Sequence, residues 1–549
     1  MLSLQMLSAG ANPRKGRWPL APALAGLAGI AVATSAAPLS AQTFEVEEAT
    51  IAGVHAAMAS GELTCEGLVR HYLNRIATLS SRPPRLNAIA NVNPHALSEA
   101  RQLDSVFVAE GPREPLHCIP VLLKDQVETT DMPTTYGSVL FKDFFPRRDA
   151  TIVTRLKDAG AIILAKTNMG EFASRYVGSG FGVIRNPYDR TRNPSGSSGG
   201  TGVGIAVNLG MVGIGEDTGG SIRGPAAVHA LVGLRPTLEL VSRFGMMPAN
   251  PTTDTMGPMT RTVTDAAIVL DAIAGYDLRD PVTARAVGRV PDSYTGELQP
   301  DALAGARIGV IRQPMDRRVG TTMEGFGQVR ARVDDAVAEM RALGAEVIDL
   351  FTVRGVTEIN EIFSLNSFET EEATDAYLAE HRNAPYQTLA AILLTGQVNP
   401  WRARGMADLL GKTTRDPGYL EYLLARDRIR VNVLKTMADQ DLDALVYATF
   451  DHPPTEIAED VEHNPQPRDR YGLGDNRLIS PLTGFPAITV PAGFTPDGLP
   501  VGIEFMGRPF TEAMLLGYAF AFEQATGHRR PPEGQPGIAR GNPAATGGV

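Results

Sequence analysis

An α/β fold, in which helices cover a mixed β-sheet, is predicted by three features of this sequence. Short aliphatic runs recur along the chain, helical patterns separate them, and a late pair of runs flanks an Asp-Gly turn. The runs at 119–123, 161–165, 308–311 and 442–447 have the length and apolar content of buried strands. Between 333 and 343 the apolar residues instead recur at helical spacing. The runs 487–490 and 501–505 lie either side of Asp497-Gly498 and read as a hairpin, which makes the sheet mixed. From 352 to 435 the pattern is largely helical and contains Trp401; part of a substrate pocket is expected here.

The chain has 549 residues, enough for a sizeable core, and no internal repeat or linker divides it. Its first 41 residues stand apart. Arg14, Lys15 and Arg17 precede a stretch free of charge and rich in Ala, Leu and Gly, the pattern of a secretory signal peptide with cleavage expected after Ala41. A main domain over 42–532 and a disordered tail over 533–549, rich in Gly, Pro and Ala, complete the expected organisation. Losing the signal segment takes the formal charge from −10 to −13, which argues against a nucleic-acid partner. With cleavage no stable membrane insertion is expected, and the oligomeric state is not legible.

The chemistry is concentrated in two serine clusters. One is Gly196-Ser197-Ser198-Gly199-Gly200, the other Gly215-Glu216-Asp217-Thr218-Gly219-Gly220-Ser221-Ile222-Arg223. Glycines before a serine allow a tight turn that a substrate can approach closely. The N–H groups of Thr218, Gly219, Gly220 and Ser221 are candidates for an oxyanion hole, a device that contributes about 10²- to 10³-fold per donor. Pro225 suits the first turn of a helix expected to run on through Val232.

These segments, with Gly233-Leu234-Arg235-Pro236-Thr237 and the earlier Pro120-Val121-Leu122-Leu123-Lys124-Asp125, resemble the amidase signature family from roughly Phe44 to Pro532. The resemblance implies one large α/β/α domain around a mixed sheet, Ser221 as nucleophile, Ser197 as a bridging serine in a cis peptide, and Lys124 as the catalytic lysine. No cofactor is implied. Lysine serves as a base only when neutral, so Lys124 is expected at the end of a buried strand. Lowering its pKa from about 10.4 to near 7.5 corresponds to roughly 4 kcal/mol. Asp217 and Arg223 are expected to support the loop. The sequence departs from the family pattern at Glu216, where a small hydroxyl residue is common, and at Gly224, where a larger side chain is common. Gly224 is therefore expected to leave room beside the nucleophile.

Other chemistries find less support. Gly196-Ser197-Ser198-Gly199-Gly200 also fits the G-x-S-x-G pattern with Ser198 as nucleophile of an esterase, but no strand precedes it, and His452 and His528 would be its histidine only by default. The nine histidines show no metal-ligand spacing, and His117 reads as structural. Gly200-Thr201-Gly202-Val203-Gly204 is neither a Walker loop nor a full dinucleotide fingerprint. Cys118 reads as a small core residue, and whether it pairs with Cys65 is not legible. Within the family, a stand-alone exported amidase is the first reading and the glutamine-amidase subunit of a tRNA-dependent amidotransferase the second. A non-catalytic binding protein is the reading outside enzymes. The substrate could be a primary amide, a peptide amide, an anilide or a carbamate.

Overall fold

The computed structural model describes residues 44–80, 85–112, 115–312, 324–349, 352–364, 366–466 and 476–533. The expected signal segment 1–41 lies outside the described residues, as does the expected tail from 534 onward.

Eleven strands build one mixed sheet: β1 (Ile89–Val92), β2 (Pro120–Lys124), β3 (Ile162–Thr167), β4 (Val212–Asp217), β5 (Val232–Arg235), β6 (Thr255–Thr260), β7 (Arg307–Val310), β8 (Glu346–Ile348), β9 (Ala444–Ala448), β10 (Ala487–Phe494) and β11 (Pro500–Met506). Their order across the sheet is β1-β3-β2-β4-β6-β5-β10-β11-β9-β7-β8. Strands β3, β2 and β4 are mutually parallel, as are β9, β7 and β8, while the pairings from β4 through β6, β5, β10 and β11 to β9 are antiparallel. The predicted strand runs all fall within or against these strands. The predicted hairpin is β10–β11, turned at Gly498 with φ 80°.

Every residue of β2, β3 and β4 is buried, as expected of parallel strands covered on both faces, and this explains the apolar runs of β2 and β3. The helices named below are α1 (Cys65–Ser80), α2 (Gly199–Ala206), α3 (Arg223–Ala227), α4 (Glu324–Ala342) and α5 (Pro400–Ala407). Helix α2 packs on β2 and β4, and its glycines are there for closeness: a Cβ at Gly200 would lie 2.2 Å from the Asn168 carbonyl oxygen. The predicted helix through Val232 is shorter than expected. It ends at Ala227, the chain reverses at Ala230 with φ 50°, and Val232 begins β5. Sheet pairing of 232–235 with β6 and β10 overrides the local helical preference.

Cys65, the first residue of α1, forms a disulfide with Cys118, two residues before β2, with 5.5 Å between their Cα atoms. The bridge ties α1 to the entrance of the strand that ends in Lys124. Closing a loop across a separation of 53 residues stabilises by about 4 kcal/mol in the chain-entropy account. Replacing both cysteines by Ala is expected to cost most of that in denaturant unfolding. A reductant should then destabilise the natural chain and leave the variant unchanged.

Candidate active site

Parallel strands β2 and β4 end at the same edge of the sheet, the usual place for a ligand crevice in α/β proteins. Their last residues are Lys124 and Asp217. Lys124 is fully buried. Its Nζ lies 2.7 Å from Ser197 Oγ, 2.7 Å from Glu216 Oε2 and 3.2 Å from the Glu216 carbonyl oxygen. Burial lowers the amine below its ordinary pKa, against the opposing pull of Glu216 and then Asp217 and Asp254. The desolvation expected from the sequence is therefore present, but so is a carboxylate partner that sequence reasoning missed.

Ser197 is buried and follows a cis peptide bond with Gly196. The Gly170 N–H donates to its carbonyl oxygen at 3.1 Å. The two serine clusters meet: the N–H of Ser198 donates to the carbonyl oxygen of Ser221 at 3.4 Å. Ser221 is half-buried at the entry to α3, whereas Ser198 is fully buried. The Ser198 hydroxyl donates to the Glu216 carbonyl at 3.2 Å and accepts from the Glu216 N–H at 3.3 Å. That commits Ser198 to holding β4 and removes the geometry an esterase nucleophile needs. The two default histidines are engaged elsewhere, His452 Nδ1 at the Pro453 carbonyl and His528 Nε2 at Glu339. His117 is buried in the wall beside the disulfide, and its carbonyl oxygen lies 2.9 Å from His55 Nε2.

Asp217 and Arg223 lie where a supporting role requires. Asp217 accepts from the Gly220 N–H at 2.7 Å, the Ile222 N–H at 3.1 Å, Arg223 Nε at 3.2 Å and Arg235 Nη1 at 3.0 Å. Burial would raise its pKa, but Arg223 and Arg235 hold the carboxyl well below the usual carboxylate range. Arg223 also donates to Glu504 on β11 at 2.5 Å. Removing one partner of such a buried pair typically costs about 3–5 kcal/mol, so the turn is held tightly. One expectation fails here. The Gly220 N–H is taken by Asp217 and is not available to an oxyanion hole, because the turn uses it to close on its own aspartate, with Gly220 at φ 106°. Thr218, Gly219 and Ser221, all half-buried, remain as the amides this turn can offer.

Gly224 also departs from expectation. A Cβ there would lie 2.7 Å from Ser195 Oγ and 2.8 Å from Arg477 Nη1, so the space is filled rather than open. Arg477 lies across the Phe450 ring at 3.9 Å and closes over Gly220 and Gly224. No short-range pattern in the sequence signals Arg477, which reaches the site through tertiary folding alone.

A cavity is lined by Gln126, Tyr136, Phe172, Met247, Thr374 and Arg402. Gln126 is two positions beyond Lys124, and Met169, beside Gly170, shares the wall. Thr374 and Arg402 in this wall come from the helical middle region. Trp401 on α5 packs beneath the Arg175 guanidinium at 4.7 Å.

Glu216 and Asp254 form a second acidic feature. Thr218 Oγ1 lies 2.6 Å from Glu216 Oε1 and 2.7 Å from Asp254 Oδ1, and both carboxyls are buried. Burial, and then the charge of Glu216, push Asp254 above the usual carboxylate range.

Residues 67–516 match the family model described as Amidase. The chain is 35% identical over 502 residues to a glutamyl-tRNA(Gln) amidotransferase subunit of Microcystis aeruginosa, spanning 88% of this chain and 99% of that protein. Among solved structures, the native peptide amidase from Stenotrophomonas maltophilia superposes with a TM-score of 0.79 at 37% identity, covering 89% of this chain and 99% of that one. An amidase family protein from Bacillus anthracis superposes with a TM-score of 0.77 at 30% identity, covering 89% and 93%.

Proposed function

The chain belongs to the amidase family, and we propose that it cleaves its amide through an acyl-enzyme on Ser221, with Ser197 and Lys124 as the proton relay. The observation that carries this reading is the contact of a fully buried Lys124 with Ser197, in a loop that itself touches Ser221. Neutral Lys124 accepts a proton from Ser197 as Ser197 takes one from Ser221, whose Oγ attacks the amide carbon. The N–H groups of Thr218, Gly219 and Ser221 are the candidate stabilisers of the resulting oxyanion. The relay returns the proton to the leaving amine, and water then releases the acid.

An amidated peptide is the first substrate to test, supported by the likeness to a peptide amidase. The disulfide and the signal-like segment 1–41 support export, since such bridges persist in oxidising compartments. A second reading, a glutamine-amidase component of a larger enzyme, is supported by identity along nearly the full length of the Microcystis amidotransferase protein. One experiment separates them. The chain recovered from an exported fraction is expected to begin at Gln42, to release ammonia from amidated peptides alone, and to carry a serine-directed phosphonate on Ser221. Glutamine cleavage only in the presence of partner proteins, from an unprocessed cytoplasmic chain, would establish the second reading instead. Label on Ser198 would overturn the nucleophile.

A further inference from the structure

We propose that Glu216 and Asp254 share one proton through the Thr218 hydroxyl, and that the place of this proton sets whether Lys124 is an ammonium ion or a free amine. The proposal rests on Lys124 acting as the base. Thr218 has a single hydroxyl hydrogen, yet its Oγ1 is within 2.7 Å of an oxygen of each carboxyl. A hydroxyl donates to only one acceptor along such a line, so the other carboxyl must supply its own hydrogen. Two ionised carboxylates facing one hydroxyl in a buried site would leave one oxygen pair in bare repulsion.

The remaining contacts direct that hydrogen. Asp254 Oδ2 accepts from the N–H groups of Ala249 at 2.8 Å and Asn250 at 2.7 Å, which leaves Oδ1 to carry a proton. Glu216 Oε2 faces Lys124 Nζ at 2.7 Å, which leaves Oε1. Both proton positions therefore point at Thr218. With the proton on Asp254, Glu216 is an anion and holds Lys124 as an ammonium. With the proton on Glu216, Lys124 faces a neutral acid, and burial favours the free amine. Asp217 also acts on Lys124, but Arg223 and Arg235 balance it, and Arg235 reaches Glu216 as well. Arg243 and Tyr422 also interact electrostatically with Asp254.

The transfer balances during attack. Lys124 gains the proton of Ser197, which gains that of Ser221, whose oxygen bonds the amide carbon. In concert the Glu216 Oε1 hydrogen passes to Thr218 Oγ1 and the Thr218 hydrogen passes to Asp254 Oδ1. The new ammonium then meets a newly formed carboxylate, and Asp254 becomes neutral. Glu216 and Asp254 are thus positioning residues that match charge to the base.

The test compares kcat/KM against pH for the natural chain, Asp254→Asn and Glu216→Gln on one amide. Asp254→Asn leaves Glu216 ionised, so the acid limb is expected to move up by about one pH unit or more, a roughly tenfold loss at the foot of the limb that alkaline pH restores. Glu216→Gln removes the anion beside the amine, so the limb is expected to move down while kcat falls about tenfold or more. Shifts in opposite directions are not what a merely structural pair would give; limbs left in place in both variants overturn the proposal. Infrared difference spectra provide a readout independent of turnover. Each substitution is expected to remove the carbonyl stretch of one protonated carboxyl, and persistence of that band in both would overturn the proposal even in a chain inert on every amide. Should either variant fail to fold, Thr218→Val keeps both carboxyls and removes the bridge: a displaced limb supports the proposal and a natural one overturns it. Activity abolished by Ser221→Ala alongside unshifted profiles would leave the serine amidase standing and remove only the proton pair.

Discussion

Replacing Lys124 by Met is expected to lower kcat by about 10⁴-fold, the upper range for loss of a general base, with KM changed little. Methionine approximates the length of the lysine stem and fills the buried channel between β2 and the serine loop, so the variant should remain folded. What it loses is the group that receives the proton of Ser197 at 2.7 Å. It also strands the Glu216 carboxyl, which accepts from the same amine. Steady-state kinetics beside a thermal melt separate the two effects: a lowered but still cooperative melt together with the large kcat loss is the expected result. A loss under tenfold would mean that Ser197 passes its proton elsewhere.

Ser221→Ala is expected to reduce turnover further, by about 10⁴- to 10⁶-fold, because no covalent intermediate can form. Adding Lys124→Met to Ser221→Ala should then cost almost nothing more, since residues that act as one unit are strongly non-additive. Full additivity of the two losses would show that they serve separate steps. Ser198→Ala is the comparison: its hydroxyl only ties Glu216 in place, so activity should remain within about tenfold of the natural chain. A Ser198→Ala chain as dead as Ser221→Ala would reverse the assignment of the two serines.

Much of the site was readable because its residues are local in sequence. Ser197, Ser221, Asp217 and Arg223 sit in glycine-rich turns whose composition only makes sense where backbone comes close to something else. Lys124 was readable because an apolar strand leads into it. The failures are of another kind. Whether the Gly220 amide points at a substrate or at Asp217 depends on how a turn closes, and residue types do not decide that. The missing side chain of Gly224 looked like empty space, whereas Ser195 and Arg477 fill it from a neighbouring loop and from 253 positions further along the chain. Asp254, just before β6, meets Thr218, and through it Glu216, beside the antiparallel β4–β6 pairing, a contact set by register rather than by spacing. In the same way six of the eleven strands, β2, β3, β7, β9, β10 and β11, were legible as apolar runs, whereas their order was not, and 232–235 became a strand only because β6 and β10 were there to receive it.

The Arg223–Glu504 pair also has a meaning for biosynthesis. The two residues stand 281 positions apart, and the glutamate belongs to the last strand of the sheet. A growing chain therefore cannot complete the support of its nucleophile turn until residue 504 has left the ribosome. Nearly the whole polypeptide must exist before the turn that carries Ser221 acquires its final support.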